Sequence, residues 1–171
     1  MMRTPDASVA INAEALRARY RPNTIKVLFV GESAPAGGRF FYAGNSSAFR
    51  EFRQALAPMI GGPDLFLDRF RDAGLYLDDL VLTPVNHLTQ REREARNAAA
   101  APALAARIAI YRPRMIVGFA KRITLPLARA HALSGVECPL HVVAFPGNGQ
   151  QANFRRELAE ILPGLLAIAR A

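Results

Sequence analysis

Residues 25–45 read IKVLFVGESAPAGGRFFYAGN. The first six, Ile25 to Val30, form an apolar run broken only by Lys26. A short run of this kind, closed by Gly31, predicts a strand buried on both faces, as in a parallel sheet. A long polar loop follows it. Ser46 or Ser47 then caps a helix in which Phe49, Phe52, Leu56 and Ile60 mark one buried face. Strand, loop and helix in that order set the pattern for the rest of the chain.

Working outward, residues 9–20 read as a short amphipathic helix. Gly61-Gly62-Pro63 stops the helix after the first loop, and Asp64 opens a brief one carrying Phe66, Leu67 and Phe70. Leu80–Leu82 reads as a second strand, running into the polar loop TPVNHLTQRE. A helix over 91–111 is predicted to break near Pro102. Met115–Phe119 is a third strand, 121–133 a helix, and Leu140–Phe145 a fourth strand ending in PGNGQQ. A last helix spans 151–169, with Phe154, Leu158, Ile161 and Leu162 inward and a kink or split at Pro163-Gly164. Alternating strands and helices predict one α/β domain over 1–171, with three α/β/α layers and a central four-stranded, mostly parallel sheet. Ligands of such sheets bind beyond the C-terminal strand ends. That places loops 31–45, 83–90 and 146–151 on one rim.

Composition narrows the function classes. With 171 residues and 51% apolar, the chain can bury a core without metals or disulfides. Cys138 is the single cysteine, which excludes an internal disulfide and a thiolate-held zinc or iron–sulfur centre. No cofactor and no metal are expected. No apolar run is long enough to cross a membrane. Residues 1–16, MMRTPDASVAINAEAL, lack the apolar core of a secretory leader, so the cytoplasm is the expected compartment. Lys and Arg total 22 against 14 Asp and Glu, a net charge of +8. Only Lys26 and Lys121 are lysine. Arginine forks match phosphate geometry, so DNA or another nucleic acid is the expected partner, although an Ala- and Arg-rich composition alone gives the same balance.

The richest loop is the first. Glu32 and Ser33 follow its opening glycine, Gly37-Gly38 permits a sharp turn, and Phe40, Phe41 and Tyr42 predict at least one exposed ring. Asn45 reads as a helix cap more than as a binding group. In the middle loop stand Asn86 and His87, a solvated histidine or a catalytic one, with Thr83 and Asn86 alternatively fixing the turn at Pro84. In the last loop stand Asn148, Gln150 and Gln151. Arg155 and Arg156 lie in the first turns of the last helix, where the helix terminus also favours an anion. Arg91, Arg93 and Arg96 alternate with Glu92 and Glu94 and read as a solvated helix start. His131 and His141 read as structural. No Walker A loop, GxSxG elbow or complete dinucleotide fingerprint is present.

GESAP, GRFFYAGN and FREF together resemble the first motif region of the uracil-DNA glycosylase superfamily. LDDLVLTPVNHL and VVAFPGNGQQANF fall where that family has its second strand and its last catalytic loop, so the likeness runs from about Ile25 to Leu158. The resemblance implies a glycosylase-type α/β fold, DNA binding, and hydrolysis of the N-glycosidic bond of a flipped damaged base such as uracil. It places Glu32 and Ser33 in the water-handling position, Phe41 as the ring stacked on the base, and Asp79 near the base-reading amide. Asn148, Gln150 or Gln151 is the candidate neutral donor to the leaving base; apart from the resemblance, Asn86 is a further candidate base contact, and Arg155 and Arg156 are candidates for the nucleic-acid backbone. Three departures mark the chain. GESAP has one residue too many before its proline, Asp79 replaces an amide by an acceptor, and Phe145 stands before Pro146 where the family offers a histidine. The alternative is a module that keeps the fold and binds nucleic acid or a nucleotide without cleaving it.

Overall fold

A computed structural model describes residues 7–34 and 36–171. The reading of residues 1–6 as part of a leaderless start, and the place of Pro35 within GESAP, lie outside the described residues. Strands β1 (Val27–Ser33), β2 (Leu75–Val81), β3 (Met115–Gly118) and β4 (Leu140–Val142) form one all-parallel sheet in the order β2-β1-β3-β4. Helices α1 (Ala7–Arg19), α2 (Ser47–Ile60), α3 (Phe66–Asp72), α4 (Gln90–Tyr111), α5 (Thr124–Ser134) and α6 (Gln151–Arg170) surround it. The chain is an α/β domain with helices on both sheet faces, as the alternation predicted.

The inner position of β1 explains its composition. Val27, Leu28, Phe29 and Val30 have no exposed surface. Phe29 packs on Phe52 of α2 and Phe70 of α3, and Phe52 in turn meets Phe154 of α6. On the other face α4 and α5 pack together, and Leu127 of α5 lies so close to Gly118 that a Cβ there would come within 2.6 Å of it.

β2 is longer than the apolar run at 80–82 predicted. It begins at Leu75 and carries Asp78 and Asp79 in its middle, both buried. Two successive carboxylates interrupt hydropathy, so a strand with them at its centre does not read as one. Each is neutralised by an arginine. Arg107 of α4 donates to Asp78 at 2.8 Å and to the Asp79 carbonyl at 2.6 Å, and Tyr111 donates to Asp78 at 3.2 Å. Arg17 of α1 donates to Asp79 at 2.6 Å.

The prolines break less than predicted. α4 runs through Pro102 and α6 through Pro163-Gly164 without interruption. A proline removes one backbone donor from a helix. Burial of Ala101, Leu104, Ala105 and Ile108 in α4, and of Phe154, Leu158 and Leu165 in α6, outweighs that loss. Ile161 and Leu162 are only half-buried. α3 starts at Phe66, not Asp64, and the fourth strand ends at Val142. Among the described residues, no helix is long and apolar enough to cross a membrane.

Asp78 is 2% exposed, so removing its ionic partner strands a buried charge. Arg107→Met is expected to lower unfolding free energy by about 3 kcal/mol in chemical denaturation. The double variant Asp78→Asn/Arg107→Met should lose less than that single variant. A loss for Arg107→Met of under about 0.5 kcal/mol would mean that this pair does not fasten α4 to β2.

Candidate functional site

The strand order fixes where the sheet opens. From β1 the chain crosses to β2 on one side, then returns to β3 on the other, so the connections diverge between β1 and β3. The crevice beyond the C-terminal ends of those two strands is where open α/β sheets hold ligands. Glu32 sits there, on the last residues of β1, 9% exposed and facing α4.

Its carboxylate is held from several sides. Arg93, in the first turn of α4, donates through Nε to Oε1 at 2.7 Å and through Nη2 to Oε2. Asn97, one turn on, donates from Nδ2 to Oε1 at 2.8 Å. Arg122, in the 3-10 turn Lys121–Ile123 after β3, brings Nε to 3.9 Å. Asn97 is 3% exposed, and its Oδ1 makes no hydrogen bond to the protein, so an unused acceptor lies buried beside the carboxylate. Burial raises the Glu32 pKa, but the hydrogen bonds from Arg93 and Asn97 and the charges of Arg93 and Arg122 more than offset it. The net shift is downward, and Glu32 is ionised through the neutral range. One carboxylate against two arginines leaves the crevice cationic.

The other residues singled out from sequence divide between two faces. Successive strand side chains leave opposite faces, so Ser33 points away from Glu32 and does not share its position. Asp79 pairs in register with Gly31, on the face away from Glu32. Its carboxyl and the Phe119 ring lie so close that a Cβ on Gly31 would come within 2.6 Å of each. Phe41 is 4% exposed and packed among Phe52, Phe66 and Phe70, because the 3-10 turn Phe41–Ala43 folds it into the core. Phe40 and Tyr42 are buried too, which corrects the expectation of an exposed ring among the three. Tyr42 is held at the edge of β2, its hydroxyl donating to the Leu77 carbonyl and accepting from the Leu77 amide. Phe41 therefore presents no face to a base.

Asn45 does not cap α2. Ser46 does, accepting from the Phe49 amide at 3.1 Å, while Asn45 braces the loop by accepting from the Phe40 amide and donating to the Gly38 carbonyl. Asn86, His87, Asn148 and Gln150 are exposed on the rim loops, and Gln150 accepts from Asn153. Arg155 ties α6 to α2 by donating from Nη1 to Glu51 at 2.6 Å, and its side chain is 40% exposed. Arg156 is exposed, 3.8 Å from Glu157. Lys121 joins this group, bonded to Glu157 and to the Val142 carbonyl. His131 lies 3.6 Å from Cys138.

Arg93 and Asn97 were not recognised from the sequence. Thr89 and Glu92 form a reciprocal capping box, which fixes where α4 begins. From that start, positions 93, 97, 101, 104 and 108 fall on one face, so the box was the available signal. Two open clefts lie elsewhere. One, of about 380 Å³, is at the opposite end of the sheet beside Arg21, Lys26, Arg71 and Gly74. The other, of about 370 Å³, follows β4 and α6 and meets the rim at Lys121. Among the described residues no group of three or more His, Cys, Asp or Glu is placed to hold a metal. Comparison with protein-family models and with curated proteins gave no match.

Asp79 and Glu32 titrate in opposite senses. Burial, reinforced by Asp78, pushes Asp79 up to about 6 against the pull of Arg17. The folded chain then keeps a proton on Asp79 that the unfolded chain, with its ordinary value of 3.8, releases, so this group subtracts stability as pH rises between those values. Glu32 adds stability above its ordinary 4.5, and the contribution is lost as pH falls through its lowered folded value. Carboxyl carbon NMR should show an Asp79 midpoint near 6 and a Glu32 midpoint below 4.5. The reverse order would overturn both assignments.

Proposed function

We propose that this chain is a divergent uracil-DNA glycosylase-like domain that binds nucleic acid across the crevice between β1 and β3. The observation that carries the reading is the placement of Glu32 between Arg93 and Arg122 at the divergence of the sheet connections. The resemblance in GESAP and GRFFYAGN supports the same end of the same strand. Phosphate oxygens match arginine forks, and Arg122, Lys121 and Arg156 are exposed along the rim.

The activity proposed for that site is hydrolysis of the N-glycosidic bond of an extruded base such as uracil. Extrusion costs a few kcal/mol of stacking and pairing. Water attacks the sugar carbon as the bond to the base breaks, the bonding electron pair leaves with the base, and the proton shed by the attacking water passes to solvent. An ionised Glu32 orients the water and opposes the positive charge that grows on the sugar. Asn148 or Gln150 donates to the departing base, and the base is protonated from solvent.

A second reading is favoured by one observation. Arg93 occupies both oxygens of Glu32, which leaves the carboxylate a weak base. A module that holds a nucleotide without cleaving it keeps the same contacts to phosphate and needs no reorientation of Glu32.

A single-turnover assay separates the two. Single- and double-stranded oligonucleotides containing uracil, hypoxanthine or xanthine are incubated with wild type and with Glu32→Gln. Cleavage by wild type that falls at least 100-fold in the variant supports the enzyme. No cleavage of any substrate, with salt-sensitive binding retained, supports the module. Absence of both cleavage and binding rejects the nucleic-acid reading.

A further inference from the structure

Fourteen aromatic residues, ten Phe and four Tyr, are present, and thirteen of them are buried or half-buried. The exception is Phe145, 36% exposed. It makes none of the ring–ring contacts that knit the aromatic core. Scattered exposed aliphatic residues such as Leu65, Ile110 and Leu125 are ordinary. A single exposed ring on the rim that carries the candidate site is a different matter.

The backbone around that ring is held. The preceding residue, Ala144, donates its amide to Glu157 at 2.7 Å, and Glu157 is itself bonded to Lys121 at 2.9 Å. Pro146, which is buried, confines Phe145 to extended backbone. Gly147 lies against the ring, and a Cβ there would stand 2.8 Å from Phe145 Cε1 and 3.1 Å from Ser47 Oγ. The ring thus lies against Gly147, a residue that also neighbours Ser47 at the start of α2, and it keeps part of its surface outward. Lys121, bonded to the Val142 carbonyl just before this loop, and Arg156, beside Glu157, put cations nearby.

We propose that Phe145 is the platform on which an unpaired base of a bound single strand stacks, with Lys121 and Arg156 facing the strand's phosphates. This rests on the nucleic-acid reading above and assigns the aromatic contact that the buried Phe41 does not provide. A part-exposed ring with cations in the neighbouring segments fits the pattern by which single strands are held without regard to sequence. A base offers a flat apolar face that loses little on desolvation, and the chain's net charge of +8 suits a polyanion.

The test uses fluorescence anisotropy with the full chain and two probes of equal length, oligothymidylate and its abasic counterpart. Phe145→Ala is expected to weaken oligothymidylate binding about 5- to 150-fold and to leave the abasic probe within twofold of wild type. Phe145→Tyr should retain wild-type binding, and Gly147→Ala, which displaces the ring, should fall between. Thermal unfolding of Phe145→Ala should match wild type, because the ring is not core. Oligothymidylate binding unchanged by Phe145→Ala overturns this assignment alone. Equal losses on both probes overturn it as well, since the contact would then not be to bases. No binding of either probe by wild type overturns the nucleic-acid reading and this assignment with it.

Discussion

Two neighbouring carboxylates in the middle of an edge strand constrain everything around them. Asp78 and Asp79 leave β2 on opposite faces, and neither reaches water. An isolated charge in that setting is strongly disfavoured unless paired and hydrogen-bonded. Arg107 on α4 and Arg17 on α1 supply the pairing, so two helices remote in sequence are fixed to the two sides of one strand. Arg17 also lies over the Phe40 ring at 5.1 Å and thereby steadies the loop that follows β1. The pose of α4, set in part by Arg107, decides where Arg93 and Asn97 meet Glu32. A structural ion pair on one turn of α4 and a candidate site on another are consequences of the same placement.

The parts of the fold legible in the sequence were those governed by hydropathy alone. The run at 25–30, the strand at 115–119 and the Phe-rich face of α2 are dominated by apolar burial, and they were read close to their true limits. β2 was cut short because charge pairing across long sequence distances, 62 residues for Arg17 and Asp79, leaves no local mark. The prolines at 102 and 163 misled for the opposite reason: their local penalty is real, but packing of the flanking turns outweighs it. The sequence reading put Glu32 in the loop after a strand closed by Gly31, whereas β1 runs on to Ser33 and holds Glu32 within it; alternation along that strand sends Ser33 to the other face, and Phe41 turns inward with the aromatic core. Arg93 reads as part of a solvated charge pattern because its neighbours alternate in charge; extending the buried face of Leu104 and Ile108 back by helical turns is what brings it beside Glu32.

The crevice that results is small in carboxylate and rich in arginine. Glu32 stays ionised there because Arg93 and Asn97 orient it, and the same contacts limit how readily it moves. A cationic crevice of this kind favours an anionic ligand over a cationic one. Phe145, just before Pro146, gives that loop a part-exposed apolar surface.

Nucleic acid is proposed to bind at the rim formed by the ends of β1, β3 and β4. Amide hydrogen exchange with and without a single-stranded oligonucleotide tests it most directly. The account predicts slowed exchange in the first turn of α4, in residues 120–123 and in residues 144–151. Slowed exchange confined to the opposite end of the sheet, around Arg21, Lys26 and Gly74, would contradict it.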